Sequence, residues 1–320
     1  MSIDGITHIA VVGAGYMGGG IAQTCAAHGY HVSIADVDAA SAQKSRDRLH
    51  AEAADFEAQG LFPEGSAAAI KANLHAAESM ESASAGADYI FEAVPEVESI
   101  KLGVLKRISG ANPGAVIGTN TSAIAINSLA ESVTNPDRFL GVHWMNPAPF
   151  IPCVEIIPHA TTRAELVTQS TELMLALGKR PSTISDKPGF VANRLQYALY
   201  KEAATMLEEN VATAAEIDAV VSNSFGFRLA LFGPFAIADM AGLDVYQDSF
   251  HVLENAYGER FATPEVISKS VADGNLGVKS GRGILDLTSA DQADLVAYRN
   301  NAYVQLNHLR DKLGASPAQR

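Results

Sequence analysis

The sequence predicts an α/β fold in two parts: a doubly wound, mainly parallel sheet over residues 1–187, then a smaller all-helical domain over residues 188–320. Three observations carry this. Short β-branched runs alternate with segments of helical apolar spacing through the first half of the chain. A glycine-rich turn, Gly13-Ala14-Gly15-Tyr16-Met17-Gly18, follows the first run at once and opens a helix. After the turn Asp186-Lys187-Pro188-Gly189 the alternation stops, and helix follows helix.

The totals narrow the function. A chain of 320 residues can bury two cores, and 48% hydrophobic with 18% charged residues is the balance of a folded soluble protein. The net charge of −13 argues against a nucleic acid or an anionic membrane as partner, since both demand basic patches. A small anionic ligand stays open, because a few local donors can hold one. The start, MSIDGITHIAVVG, has no basic stretch leading into an apolar one, so no secretory signal is expected. The apolar stretch from Leu229 to Leu243 is broken by Gly233, Pro234 and Asp239, too short for a membrane span. Cys25 and Cys153 sit in apolar segments without metal-ligand spacing and without a disulfide framework. The expectation is a cytoplasmic protein with no bound metal.

Ile6–Val12 reads as a buried strand, and the glycine turn leads into a helix that Gly29 ends. His31–Ala35 is the next strand, with Asp36 at its end. This is the context that dinucleotide binding requires. Gly13 permits the tight turn, Gly15 lets backbone approach a pyrophosphate at the helix N-terminus, and Gly18 allows close packing of helix on strand. Asp36 would accept hydrogen bonds from ribose hydroxyls and repel a 2′-phosphate. No Arg immediately follows it, so NAD is the expected cofactor. Helices are expected over Ala39–Gly60 and Pro63–Ala72, and strands at Asn73–Ala76, Asp88–Val94 and Ala115–Gly118, with a helix over Glu98–Gly110 between the last two. Asp36, Glu96 and Ser122 then fall at the carboxyl ends of strands, where such sheets bind ligands. Each also has a plain structural reading: Ser122 as the N-cap of a short helix, Glu96 and Lys101 as a solvated surface pair.

Phe139–Pro158, FLGVHWMNPAPFIPCVEIIP, reads as strand, loop, strand, with Pro147, Pro149 and Pro152 stiffening the loop. It brings His143 and Glu155 together, either as a general base with an orienting carboxylate or as a core histidine satisfied by a nearby acid. A helix over Thr162–Gly178 and a strand over Arg180–Ser185 complete the sheet domain. Helices over Phe190–Asn210, Ala214–Ser224, Phe235–Tyr257, Thr263–Asp273 and Ala290–Leu313 follow. Asn193 lies in the first turn of the first of these, where it is either helix-start chemistry or part of a site. Arg194 beside it could pair with an acid or with substrate. A small helical domain of this kind has apolar surface to pair with a second copy, so a homodimer is expected.

Four segments, GAGYMGGGIAQ, TNTSA, GVHWMNPAP followed by VEII, and KPGFVANRL, occur in the order and at the separations found in the L-3-hydroxyacyl-CoA dehydrogenases. The later GPFAIADMAGLD and KSGRG segments resemble that family's helical domain. The resemblance covers nearly the whole chain. It implies a Rossmann-type domain and NAD-dependent oxidation of an L-3-hydroxyacyl compound to the 3-oxo compound. It implies His143 as general base, Glu155 as its orienting partner, Ser122 bonding the substrate oxygen, and Asn193 completing the polar site. It also implies cofactor contact from Gly13, Gly15, Tyr16, Met17, Gly18, Asp36, Glu96, Lys101, Asn120, Ser122 and Lys279. The chain departs from the family's pattern in two places. The family's coenzyme A face wants cations; here Lys44, Arg46 and Arg48 are followed by Glu52, Asp55 and Glu57, with no Lys or Arg from Ala51 to Gly60. Trp144–Pro152, expected to wall the substrate pocket, is closer to relatives that oxidise free hydroxy acids or alcohols of the L-gulonate, carnitine or pyridine-carboxylate kind. That alternative stays open. A non-catalytic NAD-binding structural protein is disfavoured because all four polar site positions are present.

Overall fold

The structure, a computed structural model, describes residues 5–314, 316 and 317. The chain divides into two compact units, residues 1–199 and 200–320.

The first unit is an eight-stranded sheet with helices on both faces. In chain order it runs β1 (His8–Val12), α1 (Tyr16–Ala27), β2 (His31–Ala35), α2 (Ala39–Ala58), α3 (Ser66–Asn73), β3 (Leu74–Ala76), α4 (Met80–Ser84), β4 (Tyr89–Glu92), α5 (Glu98–Ala111), β5 (Val116–Thr119), α6 (Ile126–Ala130), β6 (Phe139–Trp144), β7 (Cys153–Pro158), α7 (Ala164–Ala176), β8 (Arg180–Thr183) and α8 (Ala192–Glu208), whose length crosses the division between the units. The sheet order is β3-β2-β1-β4-β5-β6-β7-β8, and every neighbouring pair is parallel except β6 with β7. Successive strand residues serve opposite cores. Ile9 and Val11 of β1 pack with Ile21 and Val142, whereas Ala10 and Val12 pack with Ile90 and Leu105. Burial on both faces is why this strand reads as an unbroken apolar run. The strand order reverses between β1 and β4, and the crevice at their carboxyl ends is where an open α/β sheet takes its ligand.

The second unit holds α9 (Ala214–Asn223), α10 (Phe225–Leu229), α11 (Pro234–Ala241), α12 (Leu243–Tyr257), α13 (Glu265–Ala272) and α14 (Ser289–Leu313). The single helix expected over Phe235–Tyr257 is two helices. Gly242 breaks it at φ 108°, a conformation that a side chain resists, and a Cβ there would lie 2.8 Å from Lys279 Nζ. The short α10 was not foreseen. Small clusters such as Phe232, Ile237 and Ala302 form the core. Buried Asp239 accepts the N–H groups of Ile284 and Leu285 at 3.0 and 2.9 Å, which satisfies its charge. Among the described residues, no helix is long and apolar enough to cross a membrane.

Candidate active site

A cavity of about 900 Å³ opens at the carboxyl ends of β1, β2, β4, β5 and β6, lined by residues of the first unit. The glycine turn forms its floor. Gly13 has φ +100°, and a Cβ on it would sit 2.6 Å from the Ala93 backbone; a Cβ on Gly18 would sit 1.8 Å from the Gly13 carbonyl oxygen. Both positions therefore exclude side chains. Gly15 differs: a Cβ there meets nothing within 4 Å, so the space it leaves is available to a ligand rather than filled by protein. Gly15 is also the N-cap of α1, and no side chain caps this helix start. Free N–H groups at the end of a twelve-residue helix, over open space, suit a pyrophosphate. Asp36 lies one residue beyond β2 and lines the same cavity, with Oδ1 accepting the Val37 N–H at 2.8 Å. The residues present thus fit an adenine dinucleotide.

The wall beside the turn rests on a buried charge network. Glu92 ends β4 with no exposure; it accepts from Lys101 Nζ at 2.9 Å, the Val94 N–H at 2.8 Å and the Thr119 hydroxyl at 2.6 Å. Lys101, 1% exposed, also donates to the Val94 carbonyl and lies 3.4 Å from Glu96 Oε2. Lys101 is therefore not a solvated surface charge, and it does not line the cavity; it is enclosed by acceptors and supports Glu96 from below. Glu96 Oε1 accepts the Thr121 hydroxyl at 2.6 Å and the N–H groups of Ser122 and Ala123 at 2.8 and 3.0 Å. These three bonds, all from the loop after β5, meet on this one oxygen. Ser122 is accordingly not a helix cap: α6 starts at Ile126, and its first N–H groups, on Ile126 and Asn127, are accepted by Asp186.

Burial pulls the Glu96 carboxyl upward, but the Thr121 and Ser122 bonds and the Lys101 charge outweigh it and hold the group below its ordinary value of 4.5. A carboxyl depressed by folding contributes fully above its unfolded value and loses that contribution as pH falls through the folded one. Acid should therefore loosen this loop below about pH 4.5. At neutral pH, Glu96→Ala is expected to lower stability by roughly 1 kcal/mol at this partly exposed position and to raise the KM for NAD. Thermal melts and initial-rate kinetics check both; unchanged values of both would mean that the loop holds itself.

His143 and Glu155 face each other across the antiparallel pair β6–β7. His143 is 5% exposed, and its Nδ1 lies 2.8 Å from Glu155 Oε2. The other carboxylate oxygen accepts the N–H groups of Val191 and Ala192, both at 2.9 Å, at the start of α8. Burial raises the Glu155 carboxyl, yet the bonds from His143, Ala192 and Val191 together bring it below its usual range, so it is ionised. Phe190, 3% exposed and at φ 50°, lies over the imidazole with ring centroids 5.5 Å apart. With Nδ1 engaged, Nε2 is the nitrogen left for the cavity. Asn193 Nδ2 donates to the Ser122 carbonyl at 3.0 Å, and both residues line the cavity with His143. Asn120 joins them; its Oδ1 accepts the Trp144 N–H at 2.8 Å and ties β5 to β6.

One further expectation needs correction. Of the segment Trp144–Pro152, only Trp144, Met145 and Asn146 reach the cavity. Beyond them the loop turns to the opposite side: Phe150 stacks with Phe56 and Phe62, and Pro149 lies against Gly20 of α1. Lys279 lies in the second unit, where its ammonium is paired with Asp244. Other residues were missed. Glu92 was detectable as a carboxylate inside the apolar run DYIFEAV, a position that demands a buried partner. Gln196 and Tyr197 also line the cavity, three and four residues after Asn193 and so on its face of α8.

Comparison with known proteins bears on this geometry. The profile of "3-hydroxyacyl-CoA dehydrogenase, NAD binding domain" matches residues 8–187, and that of "3-hydroxyacyl-CoA dehydrogenase, C-terminal domain" matches residues 189–287. A 5-formyl-3-hydroxy-2-methylpyridine 4-carboxylate 5-dehydrogenase of Mesorhizobium japonicum is 31% identical over 95% of this chain and 98% of its own. The 3-hydroxyadipyl-CoA dehydrogenase of Escherichia coli is 34% identical over 89% of this chain, which spans 60% of that protein. A solved 3-hydroxyacyl-CoA dehydrogenase of Archaeoglobus fulgidus superposes with a TM-score of 0.76 at 29% identity, covering 97% of this chain and all of that one.

Proposed function

The chain belongs to the 3-hydroxyacyl-CoA dehydrogenase family, and on that premise we propose that it oxidises an L-3-hydroxyacyl thioester to the 3-oxo thioester, with His143 as general base. It is an NAD-dependent dehydrogenase acting on a CH–OH group. The observation that carries the site assignment is the His143–Glu155 pair, buried at the cavity wall with one ring nitrogen unengaged.

In this reading bound NAD would supply the acceptor for the hydride of the carbinol carbon. Gly15 and the α1 N-terminus would hold its pyrophosphate, and Asp36 would hold the adenosine ribose. His143 Nε2 removes the hydroxyl proton, and Glu155 stabilises the resulting imidazolium through Nδ1. Ser122 and Asn193 donate to the oxygen as charge gathers on it. Glu96 keeps Ser122 in place through the loop, and Phe190 keeps water from one face of the imidazole. The side-chain carboxylates that line the cavity are Asp36 and Glu96. Of the two, Glu96 holds the Ser122 loop, and its charge there disfavours a substrate carboxylate at that end of the cavity.

A second reading, a free hydroxy acid or alcohol as substrate, is favoured by α2. Arg46 is paired with Asp47, and Arg48 with Glu52 and the Ala14 carbonyl, so both are engaged within the protein. The acids there are partly engaged too, since Glu57 accepts the Ala67 N–H at the start of α3. One experiment separates the readings: NADH oxidation with acetoacetyl-CoA beside acetoacetate. Turnover of the thioester should exceed that of the free acid by roughly 100-fold or more in kcat/KM; the reverse order would establish the second reading. We place the boundary between the cofactor and helical domains at the turn 186–189, and read the protein as a cytoplasmic homodimer. Exposed Met206, Leu207, Val211, Val220 and Val252 in the second unit support pairing through that unit.

A further inference from the structure

Lys179 lies between α7 and β8 and is 3% exposed. Its ammonium donates to the carbonyl oxygens of Ala148, Pro149 and Ile151 at 2.6, 2.9 and 3.0 Å. It also lies 5.1 Å from the centre of the Trp144 ring. Three donors meet three acceptors, so every N–H direction of the side chain is used. Among the described residues no carboxylate pairs with it; carbonyl dipoles and an indole face hold the charge instead. The acceptors explain its placement. Pro147, Pro149 and Pro152 lack backbone N–H groups, so the loop after β6 cannot tie itself down by a backbone ladder. It closes on one side through the Pro147 carbonyl, which accepts the N–H groups of Phe150 and Ile151 at 3.1 Å, and on the other through Lys179. The lysine supplies donors that the prolines removed.

That loop continues directly from the strand that carries His143, and its first residues, Met145 and Asn146, line the cavity. We propose that Lys179 is a positioning residue for the dehydrogenation: a buried cation that fixes the loop after β6 and thereby sets the cavity wall next to His143. The inference rests on the dehydrogenase reading of that cavity. Lys179 acts through the loop and through Trp144, whose N–H is anchored by Asn120. Its proton is within experimental reach, since burial draws the ammonium down to about 8. The titratable groups around it are few. Cys25 of α1 is kept a neutral thiol by complete burial, and His28 at the end of α1 lies near Gly178 with Nδ1 at 2.8 Å from the Thr24 carbonyl. Loss of the proton leaves two donors for three carbonyls, so the loop loosens as pH rises through that value.

Trp144 is the single tryptophan of the chain, and among the described residues its indole N–H has no acceptor. Its emission therefore reports the cation beside it. The test follows emission and kcat of the full-length protein from about pH 6 to about pH 10, for wild type and Lys179→Met. Wild type should show an emission step near pH 8 and a parallel fall in kcat. Lys179→Met should show neither, with kcat at neutral pH lowered roughly tenfold and the KM for NAD within about twofold. A folded Lys179→Met with wild-type kcat and the same alkaline fall overturns the inference alone. If that variant does not fold, wild type decides: flat emission and flat kcat across the alkaline range overturn it. No turnover by wild type with thioester or free acid would sink the dehydrogenase reading, and this inference with it.

Discussion

His143→Ala is expected to lower kcat roughly 1,000-fold or more while leaving the affinity for NAD within a factor of about two. The reaction must take a proton from an alcohol in the step that releases hydride, and a positioned base is worth about two to four powers of ten. His143 is well placed for this. One ring nitrogen is fixed by an ionised carboxylate at 2.8 Å, the ring is 5% exposed, and the cavity lies on the remaining side. The cofactor side of the cavity is built from different elements, the β1–α1 turn and the end of β2, so binding of NAD should survive the substitution. Equilibrium fluorescence titration with NADH, beside steady-state kinetics, separates the two effects. If activity stays within tenfold of wild type while the protein remains folded, the proton goes elsewhere and the base assignment fails.

The sheet domain was legible because its signals are local. The alternation of buried strands with helices sets the parallel order, and the glycine turn between a strand and a helix sets the switch point. Gly13 and Gly18 are required for the reasons their spacing suggested, since backbone occupies the space that a side chain would need. The His143–Glu155 pair was also readable, because two strands joined by a short proline loop have little choice but to pair in register. What escaped notice depends on contacts distant in sequence. Glu92 passed as one residue within the expected strand Asp88–Val94; its partners Lys101 and Thr119 come to it from α5 and β5. The direction of the loop after Met145 is set by Phe56, Phe62 and Lys179, none of them adjacent in sequence. In the second unit the break at Gly242 was hidden by a run, ADMAGLDVYQ, whose apolar spacing continues across it.

Glu155→Gln should be nearly as damaging as loss of the histidine, roughly 1,000-fold in kcat, for a reason that the bonding pattern dictates. The carboxylate accepts on both oxygens: His143 on one, and the Val191 and Ala192 N–H groups on the other. Glutamine offers one oxygen and one NH2. The two backbone donors are fixed by the start of α8 and cannot reverse, so they claim the oxygen. The NH2 then faces Nδ1, which must accept, and the ring proton moves to Nε2, where the base has to be bare. An alanine at this position imposes no such choice: the imidazole loses its orienting partner but remains free to keep Nε2 unprotonated. Orientation and charge alone therefore predict that Gln, which keeps a partner for the ring, is the faster of the two, whereas the forced tautomer predicts that Gln is the slower. Single-turnover rates for both variants at saturating NAD distinguish these cases, and a Glu155→Gln enzyme faster than Glu155→Ala would show that the carboxylate acts by geometry rather than by fixing where the proton sits.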